Sequence, residues 1–588
     1  MAEILSEYFA SVFTKAEYTA QVTVKEEVVQ TLDGPKIIKE VLHRLVVIHV
    51  DKQLGPNEMH PRQKQAIDEK ENQTECPCLQ MDTLHNKQLS DCPTRCICDS
   101  SKSVQCYRVT TVPKAIPTDT RKLHLGHNNI KQLRASDFGG LYGIEELALS
   151  SCGMEATEAH TFSTLTNLRT LELWKNKLRN VPSKLPSNVE VLKLGNNRIQ
   201  ALCETDFEGL AKLKVLDLQN NKISKIHSSV LSSAFKLEDL VLDSNSLELL
   251  SGPLKLPYLK RLSMQDNRLS SLPSNFFSFL PSLRFLSLSG NIFCKIPQKM
   301  PPLLWSLKMD KNLISELQIQ DLNYLSHLFE LSLSENQLST ANDALALTNL
   351  SIVDLSKNQL KAVPIRLPAR LQMLDCSHNF IQKVTLQEFY GLCELKHLFL
   401  EYNNITIIDV DGLQHCLQLS DLALERNQLS SFPKGLPDTL VRLDLKGNNI
   451  TDICKETVEN LKRLRVLNLR NNRLSSLNPD VFGYFPRLRQ LYLDGNPWNC
   501  TCDLMKIRVL LIARQLEIKS GYCATPAYYQ GEAWLSSTKF LNSCGYNTMH
   551  GAKGKAFLDV AAKIGQEYDD LNINDLTDNE DYYDYDAD

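Results

Sequence analysis

The stretch VLKLGNNRIQALCETDFEGLAKLKVLDLQNNKI, residues 191–223, contains one short phrase twice. Each copy reads Leu-x-Leu-x-x-Asn-x-Ile, and close variants of the phrase occur 17 times in the chain, at intervals of 21, 22 or 24 residues. The copies begin at residues 123, 147, 171, 192, 216, 240, 262, 286, 307, 331, 353, 374, 398, 422, 443, 467 and 491. A fixed period of this length predicts a solenoid of stacked repeats.

The phrase also predicts the structure of each repeat. Alternating Leu-x-Leu places two apolar side chains on the inner side of a short strand and leaves the intervening residues facing outward. The Asn recurs in 16 of the 17 copies, and the exception is Cys152. A buried Asn side chain can satisfy backbone groups that would cost about 1–3 kcal/mol each if they were unpaired. We therefore predict an α/β fold: a leucine-rich repeat solenoid of about 17 repeats, with a curved parallel sheet on its concave face.

Cysteine clusters precede and follow the repeats. Such pairs can hold zinc, but their position at both open ends of a repeat array favours disulfide caps, which form in an oxidising compartment. The N-terminal cluster is Cys92, Cys96, Cys98 and Cys106, and the C-terminal cluster is Cys500, Cys502, Cys523 and Cys544. The sequence therefore predicts an N-terminal cysteine-rich cap at residues 92–120, leucine-rich repeats at 121–497 and a C-terminal cysteine-rich cap at 498–545.

The first 91 residues do not continue this pattern. Residues 1–62 are charged throughout and lack the apolar core of a signal peptide. The segments SEYFASVFT (6–14) and Lys36–Arg62, which contains Gly55-Pro56-Asn57, resemble the start of a LINE-type retrotransposon reverse transcriptase. We interpret residues 1–62 as a segment outside the fold, and the signal peptide of a secreted protein as missing from this chain. Residues 63–91 are a predicted polar linker.

The chain ends in an acidic segment at residues 546–588. Residues 566–588 contain ten acidic residues, four Tyr and no basic residue, a composition that predicts disorder. The segment is either a solvated terminus or an anionic arm for a basic partner. Its acid-flanked tyrosines are candidates for sulfation: Tyr568, Tyr582, Tyr583 and Tyr585.

Five Asn-x-Ser/Thr sequons are candidates for N-glycosylation in a secreted chain. They are Asn72, Asn349, Asn404, Asn449 and Asn499. Asn404 and Asn449 directly follow the repeat Asn, so we expect them at the edge of a turn, where a glycan can project.

The Cys-x3-Cys-x-Cys-x7-Cys cluster followed by alternating long and short repeats resembles the small leucine-rich proteoglycans of the extracellular matrix. Within that family the repeat number and the acidic tail are similar to those of a secreted member. The resemblance implies an extracellular-matrix protein that binds protein ligands. Its partners would be a growth factor of the transforming growth factor beta class, whose signalling it would antagonise, or collagen or another matrix component. The four-cysteine terminal cap departs from the family pattern and is similar to that of Toll-like and Slit-type proteins. An ectodomain-like recognition protein of that class is therefore the alternative.

Other function classes receive little support from the sequence. No run of 18 apolar residues predicts a membrane span. The 13 His and many acidic residues fall into no nucleophile or metal motif, so we predict neither an enzyme nor a metal or cofactor site. A formal net charge of −4 gives no indication of a nucleic-acid partner.

A candidate binding patch lies among the outward-facing strand residues. Acidic residues recur at these positions, and exposed aromatics set among charges are typical binding hot spots. We expect Phe399, Glu401, Tyr402 and Glu425 to form such a patch on the concave face.

Overall fold

The structure, a computed structural model, describes residues 92–346, 349–514 and 516–544. Several predictions fall outside these residues: the segments 1–62 and 63–91, the tail at 546–588, the sequon at Asn72 and the four candidate sulfation sites Tyr568, Tyr582, Tyr583 and Tyr585.

One sheet of 20 strands, parallel except for its first strand, runs through the described residues. Each of the 17 repeats contributes a strand of three residues, and its central residue, a Leu or Val, is the inward-facing first position of the phrase. The strands are β1 Cys96–Cys98, β2 Ser103–Cys106, β3 Lys122–His124, β4 Glu146–Ala148, β5 Thr170–Glu172, β6 Val191–Lys193, β7 Val215–Asp217, β8 Asp239–Val241, β9 Arg261–Ser263, β10 Phe285–Ser287, β11 Ser306–Lys308, β12 Glu330–Ser332, β13 Ile352–Asp354, β14 Met373–Asp375, β15 His397–Phe399, β16 Asp421–Ala423, β17 Arg442–Asp444, β18 Val466–Asn468, β19 Gln490–Tyr492 and β20 Glu517–Lys519. The predicted fold class is confirmed.

The register between repeats is constant. Each strand from β2 to β19 pairs in parallel with the next one along the chain, so that the first phrase positions are direct partners, as Leu374 and Leu398 are. Only β1 runs antiparallel to its neighbour, β2. Because equivalent residues face the same side in every strand, sequence positions become columns on the concave face.

A column of buried Asn side chains connects the repeats. In Asn358, Nδ2 donates to the carbonyls of Leu333, Leu355 and Ser356 at 2.9–3.1 Å, and Oδ1 accepts from the Leu338 backbone N–H at 3.0 Å. The same pattern recurs through the stack, as at Asn403. Each Asn thus satisfies its own turn and the preceding coil.

The residue before each of these Asn positions has a left-handed backbone. Its φ lies between 50° and 76° in all 17 repeats, although only Gly290, Gly447 and Gly495 are glycines. The tight turn directs the following Asn inward and the left-handed residue outward. The sequence phrase gave no sign of this position, because residues as different as Lys, His and Tyr occupy it.

The return segments close the convex side with short elements, several of which carry a buried Phe. The α-helices are α1 Ile319–Leu322, α2 Leu386–Phe389, α3 Lys455–Val458, α4 Cys502–Ala513 and α5 Thr538–Ser543. The 3-10 helices are Ala135–Phe138, Phe276–Phe279, Pro479–Tyr484 and Ala527–Tyr529. Short parallel strand pairs join Gln132–Leu133 to Ala156–Thr157, Lys225–His227 to Leu249–Ser251, Lys383–Val384 to Ile407–Ile408, and Trp498–Asn499 to Cys523–Thr525.

Disulfide-bonded caps cover both ends of the core, as predicted. The N-terminal bonds join Cys92 to Cys98 and Cys96 to Cys106. The C-terminal bonds join Cys500 to Cys523 and Cys502 to Cys544. Each cap also extends the sheet, through β2 and through β20.

The Asn column predicts a specific cost of substitution. Asn358→Ala removes three donated and one accepted hydrogen bond at a buried site, and we expect it to lower the free energy of unfolding by about 2–5 kcal/mol. Gln359→Ala, at the exposed neighbouring position, is the control and should change it by less than about 0.5 kcal/mol. Urea unfolding followed by circular dichroism measures both variants. Equal midpoints for the two would contradict the role of the column.

Candidate binding surface

Two columns of outward residues flank the second Leu of each phrase. One follows the first phrase position directly and contains Asp354, Asp375, Phe399 and Asp444. The other lies two residues further on and contains Glu401 and Glu425. Parallel strands lie about 4.8 Å apart, so neighbouring members of a column are in contact range.

Several concave-face acids are neutralised by a basic neighbour. Glu172 pairs with Lys193 at 2.8 Å, and Asp239 with Arg261 at 3.2 Å. Asp421 accepts from His397, and its carboxylate also lies 3.5 Å from Arg442. These acids have a structural partner, so they offer less charge to a ligand.

A second group of acids has no such neutralisation. Asp354, Asp375, Glu401 and Asp444 form no ion pair with any residue that the structure describes. Asp354 and Asp375 are direct partners across β13 and β14. Asp375 is in turn the partner of Phe399 in β15. We call these four acids, together with Phe399, Tyr402 and Glu425, the acidic face.

Burial and mutual repulsion raise the pKa values of these carboxyls. Burial, with the charge of Asp375 added, raises the pKa of Asp354 to about 6. Burial also raises the pKa of Asp375. Burial raises the pKa of Asp444 to about 6, and Glu425 adds to that shift. Asp354, Asp375 and Asp444 therefore hold their negative charges at an energetic cost near neutral pH.

Glu401 is the most strongly perturbed member of the acidic face. Its side chain is half-buried, but Oε2 is fully buried and has no hydrogen-bond partner. Burial, followed by the charge of Asp375, raises the pKa of Glu401 to about 8. A buried carboxylate oxygen without a donor is costly, and a cationic ligand would provide one.

Aromatic rings border the acids. The rings of His378 and Tyr402 stack with centroids 4.2 Å apart and planes at 10°. Both lie at the left-handed position of adjacent repeats, and Tyr402 is exposed. The Arg426 guanidinium follows in the next repeat, 6.0 Å from the Tyr402 ring centroid. Burial and the charge of Lys357 lower the pKa of His378.

The structure brings the four predicted patch residues into adjacent repeats. The Tyr402 N–H donates to the Glu425 carbonyl and the His378 N–H to the Glu401 carbonyl, both at 2.9 Å. Glu425 differs from the other acids, since Lys446 Nζ lies 3.9 Å from its carboxylate. The sequence prediction missed Asp444 and His378. The signal for Asp444 was available, because it directly follows the first Leu of its repeat, as Asp354 and Asp375 do.

The remaining described candidate positions are the sequons and the cap cysteines. Asn349, Asn404 and Asn499 are exposed, and Asn449 is half-buried. The eight cap cysteines are all in disulfides. Across residues 92–346, 349–514 and 516–544, no group of three His, Cys, Asp or Glu side chains is arranged to hold a metal ion. In the same part of the chain, no helix combines the length and apolarity that crossing a bilayer requires.

Comparison with known proteins identifies the family of this solenoid. A family model described as "Leucine rich repeat" matches residues 118–178, 187–247, 369–429 and 438–497. Nephrocan of Mus musculus is 48% identical over 473 residues, which are 80% of this chain and 92% of nephrocan. The chain belongs to the nephrocan family. Podocan-like protein 1 of Mus musculus is 29% identical over 444 residues, 72% of this chain and 71% of that protein.

Its similarity to nephrocan and the podocans identifies the chain as an extracellular leucine-rich repeat protein. Among solved structures, a leucine-rich repeat protein of Leptospira interrogans is similar with a TM-score of 0.55 and 26% identity, covering 68% of this chain and 96% of that one. The Drosophila Toll–Spatzle complex contains a chain with a TM-score of 0.52 and 22% identity, covering 71% and 60%, which shows a shared fold.

The raised pKa of Glu401 predicts a pH-dependent effect of substitution. A carboxyl of this kind favours the folded state below its ordinary pKa and loses that contribution as pH rises through its folded value, here from about 4.5 to about 8. Glu401→Gln should therefore raise the free energy of unfolding at pH 8, by on the order of 1–3 kcal/mol, and should give no gain at pH 4.

Glu172→Gln is the matched control, because Glu172 is ion-paired with Lys193 and should give no gain at pH 8. Thermal melts of both variants across pH 4–8 measure the effect. A stabilisation by Glu401→Gln that is the same at every pH would contradict the assignment.

Proposed function

We propose that the chain is a matrix protein that captures a basic segment of a protein ligand on its acidic face. The observation that carries the proposal is the set of four carboxylates without ion-pair partners among the described residues, at Asp354, Asp375, Glu401 and Asp444. In contrast, Glu172 and Asp239 on the same sheet each pair with a basic neighbour, so the fold can neutralise such charges where a cation is within reach.

A bound Lys or Arg would supply what the acidic face lacks. It would donate to the unpartnered Glu401 Oε2 and relieve the repulsion between the adjacent Asp354 and Asp375. The Tyr402 and His378 rings offer an apolar and cation-attracting border beside these acids. The same ligand would lower the pKa values of the carboxyls, so binding would release protons in the range where they titrate.

The resemblance to small leucine-rich proteoglycans and the membership of the nephrocan family support two ligand classes. One is a growth factor of the transforming growth factor beta class, whose signalling the chain would antagonise by sequestration. The other is collagen or another matrix component. The acidic face would recognise exposed basic side chains on either ligand.

The test compares unpaired with paired acids of the same face. We expect Asp375→Asn with Glu401→Gln to weaken binding of the growth factor or of triple-helical collagen by roughly 100-fold, since each lost charge-assisted contact is worth about 1.5 kcal/mol. Glu172→Gln with Asp239→Asn removes two acids that already have partners, and should change affinity by less than about threefold. Surface plasmon resonance at pH 7.4 measures both double variants.

A lower pH gives an independent check on the same surface. Binding to the unsubstituted chain should weaken between pH 7.4 and pH 5, because Asp354 and Asp444, with pKa values of about 6, take up protons there. Affinity for both ligands that is unchanged in the first double variant would remove the acidic face from the proposal.

A second candidate function is ligand recognition of the Toll-like or Slit type. The observation that favours it is the C-terminal cap, where two disulfides enclose a core in which the fully buried Trp498 and Trp534 meet edge to face. Crosslinking of the labelled chain to living cells and to cell-free matrix separates the two functions. Capture mainly on cell-surface proteins would favour the second.

Extracellular placement predicts glycosylation at accessible sequons. Asn404 and Asn499 are exposed, so we expect both to carry N-glycans when the chain is secreted from mammalian cells. Peptide-N-glycosidase F should reduce the mass, and Asn404→Gln should remove one glycan from the untreated protein. Secreted protein with an unchanged mass after enzyme treatment would contradict this expectation.

A further inference from the structure

A ladder of backbone hydrogen bonds runs along one flank of the sheet, through the residue two positions before the first Leu of each repeat. In the last repeats, Arg465 N–H donates to the Val441 carbonyl and Arg489 N–H to the Arg465 carbonyl, both at 2.8 Å. The Glu517 N–H then donates to the Arg489 carbonyl at 2.9 Å. Side chains at this position therefore stand in a row with a step of about 5 Å.

Near the N-terminal end, the row alternates in charge. Arg121 pairs with Glu145, Glu190 with Lys214 at 2.7 Å, and Glu238 with Lys260 at 2.6 Å. The alternating members are Arg121, Glu145, Arg169, Glu190, Lys214, Glu238 and Lys260. Each cation there has an acid in an adjacent coil, so this part of the flank is nearly neutral.

The alternation ends at Lys260, because the next member of the row is Arg284 and most of the members after it are uncharged. The last two repeats bring adjacent cations back into the row. Arg465 and Arg489 are adjacent in the row, and Arg463 and Arg487 precede them by two residues. None of the four guanidinium groups has an ion-pair or hydrogen-bond partner within the described ranges. Arg463, Arg487 and Arg489 are exposed and Arg465 is half-buried. We call these four arginines the basic flank.

No acid among the described residues forms an ion pair with the basic flank. Glu517, the next residue of the row, accepts a hydrogen bond from Gln490 Nε2 at 2.9 Å rather than from an arginine. Lys462, directly before Arg463, is exposed and adds a fifth positive charge. Five cations thus gather on two coils of a chain whose formal net charge is −4.

We propose that the basic flank is a binding site for a sulfated glycosaminoglycan chain. Arginine presents a planar fork of donors that matches a sulfate or phosphate group with two parallel hydrogen bonds. A two-by-two array of such forks, with a step of about 5 Å, fits successive anionic groups on a linear polymer better than a single anion. Clusters of Lys and Arg on a surface are typical heparin sites.

Two observations favour a sulfated glycan over other polyanions. The chain is an extracellular protein by family, and sulfated glycans are the abundant polyanions of that compartment. The basic flank also belongs to a different surface from the acidic face, so a polyanion bound there avoids the repulsion of Asp354, Asp375, Glu401 and Asp444. The competing occupant is the acidic segment 566–588 of the same chain.

The experiment measures binding of the full chain to immobilised heparin as the salt concentration rises. We expect retention at physiological ionic strength, and loss of it when Arg463, Arg465, Arg487 and Arg489 are all replaced by Ala. The slope of log affinity against log salt should fall in magnitude by about 3, as expected when four cations no longer displace counterions. The control Arg121→Ala with Arg169→Ala removes two arginines from the same row that face Glu145 and Glu190, and should remain bound.

Folding and competing occupants are tested separately. The pairs Arg463→Ala/Arg465→Ala and Arg487→Ala/Arg489→Ala should each give an intermediate salt elution with an unchanged melting temperature, so a folding defect in the fourfold variant does not decide the result. Heparin stripped of its sulfates should not retain the chain. The proposal is overturned if the unsubstituted chain flows through, if the fourfold variant elutes with it, or if heparin binds only after residues 566–588 are deleted. Asp375→Asn with Glu401→Gln should leave heparin elution unchanged, so failure of the acidic-face proposal can be distinguished from failure of this one.

Discussion

The buried Asn column is the constraint on which the other features of the molecule depend. A solenoid turns its backbone sharply after each three-residue strand, and the turn leaves carbonyls and N–H groups that face the core. Each Asn amide bonds to its own turn and to the preceding coil, as Asn358 does with Leu333, Leu355 and Leu338. The bond to the preceding coil fixes the register between repeats, and that register brings the first Leu positions into direct partnership through the stack.

Because the register is constant, equivalent residues of successive repeats form columns, and the residues in a column determine the charge of that part of the surface. One column can alternate in charge and neutralise itself, as the flank does from Arg121 to Lys260. The same column can carry like charges in adjacent coils, as it does at Arg465 and Arg489. Like charges held about 5 Å apart repel, with an energy near 1 kcal/mol in water and more where water is excluded. Such runs are therefore where the sheet favours a ligand of opposite charge.

The period of the phrase was sufficient to predict the fold, because stacking of identical turns has one simple solution. The paired cap cysteines followed from their position beside the open ends of the core. The candidate surface was predictable only in part. Phe399, Glu401, Tyr402 and Glu425 could be assigned to one face from strand alternation alone. Sequence alone could not show that Glu172 finds Lys193 in the next coil whereas Glu401 finds no donor for Oε2, since this depends on side-chain reach across coils. It also could not show the left-handed backbone beneath His378 and Tyr402, which allows their rings to stack.

The two charged surfaces differ in what their charges cost the folded protein. The basic flank is mostly exposed, so water screens its arginines and the fold tolerates them cheaply. The acidic face is partly buried, and burial raises the pKa of Glu401 to about 8, so that ionising this carboxyl opposes folding. Replacement by a neutral side chain would be the simpler solution for stability alone. A ligand that supplies the missing positive charge therefore explains these four acids better than packing does. The arginines of the basic flank cost the fold little, so their cost is no evidence for a ligand. The case for a ligand there depends on geometry, a two-by-two array of guanidinium groups without partners among the described residues.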